Sequence, residues 1–169
     1  MAKYIISDLH LGHKNVLSSR KFNSIEEHDE KIKENWFSVV KPEDKVYVLG
    51  DVTMHKAKHL DTIDFKNWPG RKILIMGNHD ESNIIPYFNE VYGAKETYSP
   101  LHRYSIVLTH IPIALAELEI RWDYNIHGHM HFNKISCNHY INVCAEHINY
   151  TPQLIDEVIE NHISSVGFL

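Results

Sequence analysis

Five short stretches carry side chains that bind cations or move protons, and each closes an apolar run. Asp8-Leu9-His10 follows Ile5-Ile6. Residues two apart on extended backbone point the same way, so this carboxylate and imidazole can reach one cation together. Taken alone, the pair equally suits a polar strand end beside a surface histidine. Gly50-Asp51 closes residues 46–49. The glycine permits a tight turn and leaves the aspartate facing a cleft, though by itself this is a plain turn. Gly77-Asn78-His79-Asp80 closes residues 73–76. Asparagine offers a neutral carbonyl oxygen, and histidine a ring nitrogen or a proton. Asn and Asp are ordinary turn formers, but Asn-His-Asp behind a buried strand is unusual and favours chemistry. His110 ends the run 104–109, and on its own suits a structural histidine. Gly128-His129-Met130-His131 places two imidazoles at i and i+2, able to bind neighbouring cations. A histidine-rich hairpin tip, with His127 just ahead, is the plain alternative.

These residues need strands to carry them. The apolar runs predict strands over 3–7, 45–49, 72–76, 104–109, 124–127 and 140–143. Ser24-x-x-Glu27 is a capping box. Ile25, Ile32, Trp36, Val39 and Val40 then recur at helical spacing, which predicts a helix over 25–40 ended by Lys41-Pro42. A second helix is expected over 55–67, ended by Trp68-Pro69-Gly70, and a closing helix over 152–162. Strands alternating with helices mean an α/β or mixed α+β class. Asp8, Asp51, Asn78, His110 and His129 all close strands, and ligand sites form outside the carboxyl ends of strands in open α/β sheets. The five are therefore expected to converge on one edge of one sheet.

The chain has 169 residues, 43% hydrophobic and 23% charged. That composition fits one folded domain over 1–169 and excludes disorder. A net charge of −5 excludes a sequence-blind electrostatic grip on nucleic acid, so no stable nucleic-acid complex is expected. Cys137 and Cys144 form no C-x-x-C pair, which excludes a disulfide scaffold and fits a cytoplasmic location. Purely apolar runs reach four residues against the ~20 that cross a bilayer, so neither a membrane span nor a signal peptide is expected. Nothing in the sequence fixes an oligomeric state. Histidine is the anomaly: 14, against 17 Lys and Arg, brings metal chemistry forward. His28, His55, His59, His102, His139, His147 and His162 lie outside the five stretches and read as surface or satisfied structural groups. His13, Asn15 and Arg20 are near enough to the first stretch to reach a substrate, but the structural reading is favoured for each.

In this order, Asp-x-His, Gly-Asp, Gly-Asn-His-Asp, His and Gly-His-x-His, the stretches resemble the calcineurin-like metallophosphoesterase superfamily, in its compact bacterial and phage form. The resemblance runs from Asp8 to His131. It implies a four-layer αββα fold, in which a sandwich of two mixed sheets is flanked by helices. It also implies two metal ions, one held by Asp8, His10 and His131 with Asp51, which bridges to a second held by Asn78, His110 and His129. His79 would be no ligand and would stand over the substrate to give or polarise a proton. Asp80 would orient His79 or cap its turn, with orientation favoured. Oxygen and imidazole donors without thiolate suit Mn²⁺, which is favoured, or Fe²⁺, Zn²⁺ or Ni²⁺. Two such ions about 3.5–4 Å apart clamp an in-line displacement at phosphorus and supply a bridging hydroxide as the attacking group. The implied function is hydrolysis of a phosphate ester, with the phosphodiester of a small or nucleotide-like substrate ahead of a phosphomonoester. With no large insertion between the stretches, the site should be open and shallow. The alternative is a catalytically weak metal-binding scaffold of the same fold, and the presence of His79 speaks against it.

Overall fold

The structure is a computed structural model that describes residues 1–54, 57–99 and 103–166. His55, with the start of the helix expected there, and His102 lie outside the described residues. In chain order the elements are β1 (Lys3–Ile6), a 3₁₀ turn at Lys14–Val16, α1 (Leu17–Arg20), α2 (Ile25–Val39), β2 (Lys45–Val48), α3 (Ala57–Thr62) and a 3₁₀ turn at Phe65–Asn67. There follow β3 (Arg71–Ile75), a 3₁₀ segment at Ser82–Tyr87, β4 (Glu90–Tyr92), β5 (Ala94–Ser99), β6 (Tyr104–Thr109), α4 (Leu115–Arg121), β7 (Tyr124–His127), β8 (Tyr140–Asn142), β9 (Gln153–Leu154) and α5 (Ile155–Val166).

The strands form two mixed sheets. The first has the order β4-β3-β2-β1-β9, with only β9 antiparallel, and the second has the order β5-β6-β7-β8, with only β5 antiparallel. Side chains alternate across a strand, and the alternation builds the layers. Ile6, Val46, Val48 and Leu74 face outward from the first sheet onto Ile32 and Trp36 of α2 and Leu60 of α3. Ile5, Tyr47, Leu49, Ile73 and Ile75 face the other way and meet Ile106, Leu108 and Ile126 of the second sheet, with Ile155, Val158 and Ile159 of α5 in the same core. On the far side of the second sheet, Val107 and Tyr140 pack against Leu118 of α4. The result is the expected helix-flanked sandwich.

Several elements depart from the sequence expectation. The helix over 55–67 is broken: α3 ends at Thr62, and Asp64 turns left-handed at φ 55° before the 3₁₀ turn. The closing helix starts at Ile155, because Gln153 and Leu154 are drawn into antiparallel pairing with Ile5 and Tyr4. β4, β5 and α4 were not foreseen. β5 alternates half-buried and exposed residues along polar Lys95, Glu96 and Thr97, which hides it from an apolar-run search. No described helix is long and apolar enough to cross a membrane.

The sheets touch where their strands end. Ser7, just past β1, forms a parallel bridge with Cys144, just past β8: its N–H donates to the Val143 carbonyl at 3.1 Å, and its own carbonyl accepts from Ala145 N–H at 3.0 Å. The polar strand ends therefore gather at the junction of two sheets, three from the first and two from the second. The expectation of a single sheet edge is corrected, because the second sheet's parallel strands point the same way as the first's.

Candidate metal centre

The backbone here is not extended. Asp8, His10, Asp51, His129 and His131 have φ of 57°, 49°, 52°, 67° and 46°. Non-glycine residues in this left-handed region cost about 1–3 kcal/mol each and persist where the surroundings fix them, often at functional sites. The i, i+2 pairs do converge on the centre, but through left-handed turns rather than along a pleated face. Hydrogen bonds between loops hold those turns: Asp8 N–H donates to the Gly50 carbonyl at 3.1 Å, and His10 N–H to the Asp51 carbonyl at 2.9 Å. Gly50 itself sits at φ 81°, with Gly77 so close that a methyl group would strike its backbone at 2.5 Å. A methyl group on Gly128 would collide with Ser7 Oγ and Asp8 Oδ2.

The side chains close on a small volume. Asp8, His10 and His131 each offer a ligand atom within 4.8 Å of the others, and so do Asp8, Asp51 and His110. Asp51 has one oxygen toward each group: Oδ2 lies 3.8 Å from His10 Nε2, and Oδ1 lies 3.4 Å from His110 Nε2. Asn78 Oδ1 lies 2.9 Å from the same His110 nitrogen. The His129 ring is edge-on to His110 with centroids 5.2 Å apart. His79 is half-buried, its ring 6.3 Å from that of His10, and its backbone N–H donates to Asp51 Oδ1 at 3.0 Å. The described bonds of Asp80 run to backbone: its carboxylate accepts from the N–H groups of Gly77, Asp51 and Val52, each at 2.9 Å. This is the turn-bracing alternative, extended to two loops.

Three observations fit these residues to divalent ions. First, Asp8 Oδ1 and both ring nitrogens of His10 are buried without a hydrogen-bond partner among the described residues, and a cation would satisfy Asp8 Oδ1 and one His10 nitrogen together, with water left to take the other. Second, Asp8 Oδ2 is taken up by Ser7 Oγ at 2.6 Å, His129 N–H at 2.9 Å and Cys144 Sγ at 3.1 Å, so Oδ1 is the atom left facing His10 and His131. Third, His110 Nδ1 donates to the Leu49 carbonyl at 2.7 Å. Its Nε2 then has a lone pair toward two oxygens unless it is protonated. Burial lowers the His110 imidazole, but the Asp51 hydrogen bond and charge raise it overall, so an ion entering there takes the place of an Nε2 proton. Burial, the Arg20 charge and neighbouring His131 and His13 push the His10 imidazole down to about 3, keeping it neutral. Burial works against ionisation of Asp51, but the His110 hydrogen bond and charge and the His79 N–H hold it at about 2.

Behind the centre runs a buried polar chain with no sequence signature. Arg20 is 5% exposed. It donates to the Asp8 carbonyl at 2.6 Å and the Leu9 carbonyl at 3.1 Å, pairs with Glu146 at 2.8 Å, and meets His28 Nε2 at 2.9 Å. His28 reaches Asp29 at 2.7 Å, and Asp29 reaches His59 at 2.6 Å. Glu146 also receives His131 Nδ1 at 2.9 Å. His28 and His59 are satisfied by buried partners and Arg20 is turned inward onto the Asp8 and Leu9 carbonyls, while nothing in the sequence marked Glu146, Ser7 or Cys144. Cys144 is not an idle core residue: its thiol touches Asp8, and burial and that carboxylate push it far above the usual thiol range.

Comparison with known proteins places this arrangement. The profile of the calcineurin-like phosphoesterase superfamily domain matches residues 1–145. An uncharacterized protein of Methanocaldococcus jannaschii is 31% identical over 169 aligned positions, covering 93% of this chain and 89% of that protein. The gene 66 protein of Mycobacterium phage L5 is 42% identical over 82 residues, or 46% of this chain and 39% of the phage protein. Among solved structures, a protein of unknown function from Aquifex aeolicus superimposes with a TM-score of 0.77 at 32% identity, over 96% of this chain and 99% of that one.

Proposed function

The chain belongs to the calcineurin-like phosphoesterase superfamily, and from that premise we propose that it is a divalent-metal-dependent phosphoesterase. The phosphodiester of a small or nucleotide-like molecule is the favoured substrate class and a phosphomonoester the second. The observation that carries the proposal is the pair of ligand groups that share Asp8, with Asp51 turned toward both. Asp8, His10 and His131 would hold one ion and Asn78, His110 and His129 the other, with Asp51 between them. Mn²⁺ is the first choice, with Fe²⁺, Zn²⁺ or Ni²⁺ as alternatives. When bound, such ions supply positive charge against the phosphate oxygens and a nucleophile at neutral pH. The side chains do the rest. Asp51 stays ionised, the Asp8 side chain is fixed by Ser7, His129 and Cys144, and neutral His10 keeps the lone pair of one ring nitrogen for binding. The half-buried His79 ring stands beside His10, where it can polarise a phosphate oxygen or pass a proton to the leaving oxygen.

The test is turnover of mono- and diester substrates by chelated protein resupplied with Mn²⁺, Ni²⁺, Zn²⁺ or Mg²⁺. Metal-restored hydrolysis with diester preference supports the proposal in full, and monoester preference shifts the substrate class. A protein that binds two ions and hydrolyses neither is a scaffold, and the proposal fails.

A further inference from the structure

Glu146 lies outside the five stretches, and its side chain is 1% exposed. A single oxygen, Oε1, receives Arg20 Nη2 at 2.8 Å, Arg20 Nε at 2.9 Å and His131 Nδ1 at 2.9 Å. In the neutral ring, a carboxylate against Nδ1 places the proton there and leaves Nε2 with the lone pair. That nitrogen faces Asp8 Oδ1 at 3.8 Å. The same guanidinium donates to the carbonyls of Asp8 and Leu9, inside the turn that carries His10. One buried cation thus holds the Asp8–His10 turn directly and, through Glu146, the ring of His131. A charge pair placed only for stability needs no third contact to an imidazole at the metal centre. The other group is held differently, since His110 Nδ1 is fixed by the Leu49 carbonyl and does not involve Glu146.

Resting on the metal reading above, we propose that Glu146 and Arg20 are positioning residues that set the affinity of the Asp8–His10–His131 group for its divalent ion. Partners that orient a ligating histidine act through its tautomer and ring direction. The effect of removing Glu146 therefore falls on one ion of the two.

The experiment is calorimetric titration of Mn²⁺ into chelator-treated full-length protein, wild type and Glu146→Ala, with ¹⁵N NMR of the histidine rings in the metal-free chain. In Glu146→Ala one ion should bind about 10–100-fold more weakly while the other is unchanged. In the wild type the His131 proton should sit on Nδ1. If the alanine variant does not fold, Glu146→Gln, which keeps the shape and loses the charge, takes its place and should weaken the same ion. Two unchanged affinities, or a wild-type His131 protonated on Nε2 alone, overturn the proposal, and so does a wild type that binds no ion. A wild type that binds both ions yet hydrolyses no ester overturns the phosphoesterase reading and leaves the positioning role intact.

Discussion

His79→Ala keeps the backbone N–H that donates to Asp51 Oδ1 and removes only the ring. With ions still bound, turnover should fall by about 10²–10⁴-fold, the usual range for a lost proton donor. Steady-state rates paired with metal analysis check this, and an unaltered rate would take His79 out of the chemistry. Gly128 makes a second case. Its missing side chain is what lets Ser7 and Asp8 approach, so Gly128→Ala should destabilise by about 1–3 kcal/mol, as overpacked sites do, read from urea unfolding. Much of this scale was legible in the sequence, because Asp8, Asp51, Asn78, His110 and His129 stand within two residues of an expected strand's end and their types announce their chemistry. The geometry was not. Nothing in Asp8-Leu9-His10 says that both outer residues turn left-handed, since loop-to-loop hydrogen bonds impose that backbone. Glu146 was not legible either. It stands 126 residues from Arg20 and 15 from His131, and a lone acid at such distances carries no spacing signal.

Helix α2 was readable almost to its ends, because Ser24 Oγ accepts Glu27 N–H at 3.1 Å and the apolar stripe buries Ile32 and Trp36 fully. Strand β3 conceals something the sequence did not show. Lys72 reads as a polar strand residue, yet it is 3% exposed, with its ammonium donating to the Trp68 carbonyl at 2.8 Å and the Lys66 carbonyl at 3.1 Å. Burial lowers it to about 8. The unfolded chain therefore holds this proton more tightly than the folded one. Between pH 8 and the ordinary lysine value, the unfolded state binds more protons, so this residue's contribution to stability rises with pH. Comparing urea midpoints of wild type and Lys72→Met across that window should show the wild type gaining on the variant as pH climbs. Parallel profiles would mean the buried amine titrates normally. The short elements β4, β5 and α4 escaped notice because pairing and docking across the chain, rather than their own periodicity, stabilise them.

The molecule as a whole brings two buried aspartates and four candidate-ligand imidazoles into one small volume, and that concentration of unpaired polar groups opposes folding unless cations enter. Chelation should lower the melting temperature, and Mn²⁺ at about 100 times its Kd should restore about 2.7 kcal/mol by mass action. Calorimetry with and without chelator reads this, and identical melting curves would mean the centre tolerates emptiness. The Ser7–Cys144 bridge carries a further consequence for biosynthesis. β1 is synthesised well before its edge partner β9 and before the bridge that fixes Asp8, a separation that slows folding. A nascent chain stopped short of His129 holds Asp8, Asp51, Asn78 and His110 but lacks β8 and the bridge that completes their surroundings. Any ion these candidate ligands hold would therefore meet its full surroundings only once strands from both ends of the chain have paired.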